Sequence, residues 1–144
     1  MITVSTPEQM HELGVKLAVR LSKGDLILVN GPLGVGKTVL AQGVGAGLGF
    51  IGITSPTFVI SRVHKGELPF IHVDAYRLLD SKNPNLEIDE LDLDLANSVT
   101  LIEWGGAESA RLSEDRLEIT IDRTEAARKV SIKAIGQRWT GFSL

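Results

Sequence analysis

With 144 residues, 43% hydrophobic and 23% charged, the chain has the size and make-up of one ordinary globular domain. Its formal net charge of -3 excludes a basic field strong enough to drive stand-alone binding to nucleic acid, and the lack of cysteine excludes disulfides, cysteine-ligated zinc and cysteine nucleophiles. No apolar stretch reaches the roughly 18 residues of a membrane helix and the N-terminus lacks the form of a signal peptide, so a cytoplasmic location is expected.

In chain order, Ile2–Ser5 alternates like a short strand. Thr6-Pro7-Glu8 then reads as a helix start, with a capping hydroxyl, proline at the first position and an early acid. Met10, Leu13, Leu17 and Leu21 recur at helical spacing up to Gly24. Leu26-Ile27-Leu28-Val29 is the continuous apolar run of a strand covered on both faces. A glycine-rich loop follows, and Lys37–Leu48 reads as a helix stopped by Gly49. Thr57–Val63 and Leu68–Val73 have strand character around a Lys65-Gly66-Glu67 turn. Beyond the Asn83-Pro84-Asn85 break, Leu86–Ala96 fits a helix or an irregular loop, and its interleaved acids fit either a solvated face or a partner surface. Val99–Ile102 is a third buried-type strand, ending in Glu103-Trp104. Leu117–Ile121 and Val130–Ile135 alternate as a half-exposed antiparallel hairpin does. Nothing repeats and no linker divides the chain. One α/β domain over residues 1–144 is expected, with a mixed, mostly parallel sheet flanked by helices and an antiparallel C-terminal hairpin.

Gly31-Pro32-Leu33-Gly34-Val35-Gly36-Lys37-Thr38 matches G-x-x-x-x-G-K-[ST] without a gap, in the strand–loop–helix setting of a P-loop NTPase fold. Glycines let successive backbone N–H groups turn towards phosphate oxygens, and the helix that follows adds unpaired N–H groups and the positive end of its dipole. Lys37 is expected to meet the β- and γ-phosphates and Thr38 the magnesium between them. The expected cradle is Pro32, Leu33, Gly34, Val35, Gly36, Lys37, Thr38 and Val39, with ATP and Mg2+ as ligands. From average composition, a chance match in a chain of this size is on the order of one per cent, which favours a functional loop over an incidental glycine-rich turn.

Such a loop needs an acid at the end of a neighbouring strand. Asp74 and Glu103 both qualify, because open α/β sheets bind ligands at the carboxyl ends of their strands; each also fits an exposed strand-end acid or a helix cap. Thr57, in Ser55-Pro56-Thr57, fits a strand-entry turn better than a γ-phosphate sensor on its residues alone. Trp104 fits a core residue or a wall of the site. His11, His64 and His72 are too dispersed for a metal motif and read as structural or surface residues.

GPLGVGKT, SPTFVI, HVDAYRL and LIEW, in this order and behind an N-terminal helix, resemble the bacterial TsaE (YjeE) proteins over roughly Thr6 to Trp104, with a weaker match through the hairpin. The resemblance implies a slow ATPase that supports threonylcarbamoylation of adenosine in tRNA with TsaD and TsaB, while TsaC supplies the activated group. It implies catalytic or metal-organising roles for Lys37, Asp74 and Glu103, a switch role for Thr57, Mg2+ on Thr38, Glu103 and Asp74, and a functional ring at Trp104. Tyr76 and Arg77 would hold a loop or meet a partner, tRNA would be met only through the complex, and the N-terminal segment near Glu8 would lie by the base. Two departures, Pro32 in the loop and Gly105-Gly106 after Trp104, put loop rigidity in doubt. Three other readings compete. A GTPase lacks its N-K-x-D and D-x-x-G motifs here. A small-molecule kinase would close an arginine-rich lid, whereas Arg111 and Arg116 stand apart among acids. A non-catalytic ATP-dependent scaffold remains open.

Overall fold

A computed structural model describes residues 1–53 and 61–144. In chain order its strands are β1 (Ile2–Val4), β2 (Leu26–Asn30), β3 (Ser61–His64), β4 (Phe70–Asp74), β5 (Val99–Glu103), β6 (Arg116–Arg123) and β7 (Arg128–Ile135). Its α-helices are α1 (Pro7–Ala18), α2 (Lys37–Gly47), α3 (Pro84–Asp89) and α4 (Ala107–Ala110). Residue Thr57, the Ser55-Pro56 turn and the first half of the strand expected over Thr57–Val63 lie outside the described residues.

The strands form one sheet in the order β1-β7-β6-β2-β5-β4-β3. The inner four, β6, β2, β5 and β4, run parallel, and the remaining pairings are antiparallel. This is the expected mixed, mostly parallel sheet, with one addition. The C-terminal hairpin is not appended at a margin: its first strand pairs parallel with β2. Leu117, Ile119 and Ile121 are buried as a result. Leu26–Val29 is buried residue by residue, as its apolar run predicts. Ile27 and Val29 face one core with Leu40 and Leu101, while Leu26 and Leu28 face a second with Ile71 and Ile102. Leu86–Ala96 resolves into the short helix α3, a turn, and a 3-10 turn at Leu95–Asn97.

Helix α1 begins as its sequence predicts: the Thr6 hydroxyl accepts from the Gln9 N–H at 3.1 Å, and Pro7 opens the first turn. It ends at Ala18 rather than near Gly24, although Leu21 is still buried. α1 packs against α2 at a backbone-to-backbone approach, so only part of the local glycine cluster serves the loop. A Cβ on Gly43 would strike the His11 carbonyl and sit 3.1 Å from Gly14 Cα, and one on Gly14 would meet Val44 N at 2.7 Å. Backbone cannot rotate away as a side chain can. Gly43→Ala is therefore expected to lower stability by up to about 2 kcal/mol, overpacking towards the upper end of about 1–3 kcal/mol outweighing the roughly 1 kcal/mol that alanine gains in a helix. Urea denaturation checks it, and an unchanged midpoint would mean that the helices move apart freely.

Candidate functional site

The parallel register sets the site. Asp74 pairs with Glu103, and Glu103 with Val29, so two acids and the start of the glycine loop meet at the carboxyl ends of three adjacent strands. The next residues are pinned there: the Trp104 N–H donates to the Val29 carbonyl at 3.0 Å and the Ala75 N–H to the Glu103 carbonyl at 2.9 Å.

Between β2 and α2 the loop takes backbone conformations that side chains resist. Gly34 has φ +74° and Gly36, the residue that caps α2, has φ +113°, both in the region favouring glycine. Gly31 lies against the Ile121 backbone, where a Cβ would collide. Pro32 does not loosen this frame, since its carbonyl serves as an acceptor for Lys37. From the end of β6, the Arg123 guanidinium donates to the Leu33 carbonyl at 3.2 Å and braces the loop tip. The glycines after Trp104 are also tied down: Asn30 donates to the Gly105 carbonyl at 3.1 Å and the Gly106 N–H to Glu108 at 3.2 Å.

A cavity of about 310 Å³ opens at this point, lined by the loop and by Lys37, Thr38, Asp74, Glu103 and Trp104. Lys37 is only 5% exposed. Its ammonium donates to the carbonyls of Gly31 at 2.7 Å and Pro32 at 2.9 Å and lies 3.9 Å from the centre of the Trp104 ring. Burial lowers its pKa below the ordinary lysine value, against the opposing pull of the Glu103 and Asp74 carboxylates. Trp104 has φ +63°, a strained setting for a bulky residue, and Tyr76 packs edge-on against its ring at 5.1 Å. The ring thus belongs to the site rather than the core.

The Thr38 hydroxyl donates to Glu103, 3.0 Å from Oε1 and 3.3 Å from Oε2. Asp74 lines the cavity and also accepts from the Tyr76 N–H at 3.0 Å, so it caps the turn behind it as well. Glu103 is buried, at 3% exposure. A hydroxyl and two carboxylates are hard oxygen donors, the chemistry that suits Mg2+. Among the described residues, no group of three or more His, Asp or Glu side chains could hold a metal by itself. The donor set therefore fits a cation whose remaining ligands arrive as water and phosphate oxygen, the usual manner for Mg2+.

A second cavity, of about 240 Å³, lies across the loop. Thr6, Pro7, Met10, Val39, Ala127 and Arg128 contribute to its walls, so the N-terminal contribution comes from Thr6 and Pro7 rather than Glu8. Gly34 and Gly36 border both cavities. Arg111 pairs with Asp89 and Arg116 with Glu118, each at 2.7 Å, so neither is poised as a lid. One residue that touches Glu103 was not placed there by its sequence. His72, expected to be structural or at the surface, is wholly buried with Nε2 2.5 Å from Glu103 Oε2. Strand alternation could have found it, because His72 and Asp74 share a face of β4.

The family model described as "Threonylcarbamoyl adenosine biosynthesis protein TsaE" matches residues 4–130. Among proteins named tRNA threonylcarbamoyladenosine biosynthesis protein TsaE, that of Streptomyces coelicolor is 46% identical over 141 residues, covering 90% of this chain and 93% of the relative. The Mycobacterium tuberculosis relative is 42% identical, covering 84% of this chain and 77% of its own, and the Bacillus subtilis relative is 34% identical, covering 92% and 84%. The crystal structure of Bacillus subtilis YdiB is similar with a TM-score of 0.74 at 30% identity, over 96% of this chain and 87% of that one. No helix among the described residues is long and apolar enough to cross a membrane.

Proposed function

The chain belongs to the TsaE family of tRNA threonylcarbamoyladenosine biosynthesis proteins, and on that premise we propose that it binds ATP with Mg2+ at Gly31–Thr38 and hydrolyses it slowly, sustaining repeated turnover of a TsaD–TsaB complex on tRNA in the cytoplasm. The observation that carries this reading is the convergence of Lys37, Thr38, Asp74 and Glu103 on one cavity at the end of the parallel strands.

In this mechanism the loop N–H groups and the start of α2 orient the phosphates. The Lys37 ammonium exchanges the Gly31 and Pro32 carbonyls for phosphate oxygens. Thr38 keeps donating its hydroxyl proton to Glu103, which leaves the oxygen's lone pairs available to a cation. Thr38, Glu103 and Asp74 would hold Mg2+, which when bound would supply charge neutralisation to the phosphates. Glu103 and Asp74 order the water that attacks in line, so catalysis rests on positioning and electrostatics. Trp104 covers one side of Lys37 and keeps bulk water from it. The base occupies the cavity beside Thr6, Pro7 and Val39, which the shared wall of Gly34 and Gly36 places within reach of a nucleotide whose phosphates fill the first. None of the described residues lining this cavity is an arginine, and in this proposal a partner completes the site.

A multi-turnover threonylcarbamoylation assay with TsaB, TsaC and TsaD tests the proposal. Modified tRNA is expected to exceed the amount of TsaD only when this protein and ATP–Mg2+ are both present. If the protein hydrolyses ATP yet leaves product yield unchanged, the partner assignment fails and the nucleotide reading survives.

A further inference from the structure

His72 sits on β4 two residues before Asp74, opposite Leu101 of β5. Its ring is wholly buried and stacks on Phe70, with centroids 6.2 Å apart and planes 18° from parallel. Few residue types are worse suited to such a place than histidine unless a polar partner is present. The partner is Glu103, at 2.5 Å from Nε2. As a carboxylate that meets a cation, Glu103 can only accept, and that role requires the proton of this contact on Nε2.

Glu103 thus has two donors from different parts of the fold. Thr38 approaches mainly Oε1 from the glycine loop, and His72 approaches Oε2 from the sheet. The loop side is where phosphate and cation would arrive, whereas the sheet side is fixed by strand pairing. We propose that His72 is a positioning residue, holding Oε2 so that the Glu103 carboxylate keeps its orientation towards the cation and the attacking water. This role rests on the nucleotide reading above. It differs from simple satisfaction of a buried acid, because it predicts an effect on cation coupling and not only on folding.

The test compares His72→Leu, which removes the donor, with His72→Gln, whose side-chain amide can donate from nearly the position of Nε2. Nucleotide affinity is measured by calorimetry in EDTA and again with Mg2+, together with kcat. In His72→Leu the metal-free affinity is expected to stay at the wild-type value, while the tightening by Mg2+ and kcat each fall about 10-fold, the usual effect of losing a group that orients a metal ligand. His72→Gln is expected to recover most of both. A His72→Leu protein with wild-type Mg2+ tightening and kcat would overturn the proposal, as would a His72→Gln protein no better than His72→Leu. Should His72→Leu fail to fold, imidazole 15N shifts of the wild type decide in its place: a protonated Nε2 is expected, and a proton on Nδ1 alone would overturn the role. Absence of Mg2+-linked tightening in the wild type would instead sink the nucleotide reading, and with it the function of His72.

Discussion

Lys37→Ala is expected to weaken ATP binding about 100-fold while leaving the fold intact. The gross attraction between a buried ammonium and a triphosphate is large, but the relevant quantity is an exchange. Before nucleotide arrives, Lys37 already donates to two carbonyls and rests on the Trp104 face, so much of its desolvation cost is already met. What binding adds is opposite charge on the acceptor, since neutral carbonyls give way to charged phosphate oxygens. Charged hydrogen bonds contribute about 1.5–3 kcal/mol each, and a net loss near 2.7 kcal/mol corresponds to about 100-fold in affinity. Isothermal titration with ATP–Mg2+ measures it, and an unchanged Kd would overturn the loop assignment.

The same lysine gives this expectation a pH signature. Burial holds its pKa below the ordinary 10.5 in the free site, and phosphate oxygens in place of carbonyls would raise it. Binding then takes up a proton between the two values, so affinity falls as pH rises through the lowered free-site pKa towards the bound-state value. Below the free-site pKa, Lys37 is charged in both states and contributes no slope. In Lys37→Ala this alkaline fall should be absent. A wild-type protein with the same alkaline profile as the variant would mean that another group titrates.

The loop and the strand before it were legible because their chemistry is local. Leu26–Val29 has no polar residue to place on a solvated face, and Gly34 and Gly36 mark backbone that other residues resist. Asp74 and Glu103 were legible as strand ends but not as neighbours, because adjacency needs the β4–β5 register. The position of β6 was beyond reach for the same reason. Leu117, Ile119 and Ile121 have the alternation of any half-covered strand, and nothing local states that β2 is the partner. Gly43 and Gly14 serve helix packing, a use that nothing in the local sequence distinguishes from that of a loop glycine. Alternation puts His72 on the same face of β4 as Asp74, but its bond to Glu103 emerges only with the β4–β5 register.

Glu103→Gln is expected to reduce ATP turnover by about 10²–10³-fold, the scale of removing one pre-organised electrostatic group, with metal-free ATP affinity changed by less than about threefold. Gln is the informative substitution. Glu103→Ala would leave the Thr38 hydroxyl and His72 Nε2–H without their acceptor, and each buried unsatisfied donor costs about 1–3 kcal/mol, so lost activity there would be mixed with lost stability. The glutamine carbonyl can still accept from Thr38, preserving the loop, and its amide can donate to His72 Nε2 once that ring carries its proton on Nδ1, while the charge proposed to order cation and water is gone. Phosphate release and calorimetric binding on one preparation separate turnover from affinity. Full turnover in Glu103→Gln would remove Glu103 from the chemistry. The partner assay adds a further distinction, because hydrolysis and occupancy are different services to a complex. If Glu103→Gln binds ATP, hydrolyses little and yet supports as many rounds of tRNA modification as the wild type, bound ATP is what the partners need, and the scaffold reading replaces the ATPase one. If modification stops near one round per complex, each new round requires the γ-phosphate to leave, and the Thr38–Glu103–His72 chain is the part of the fold that sets its pace.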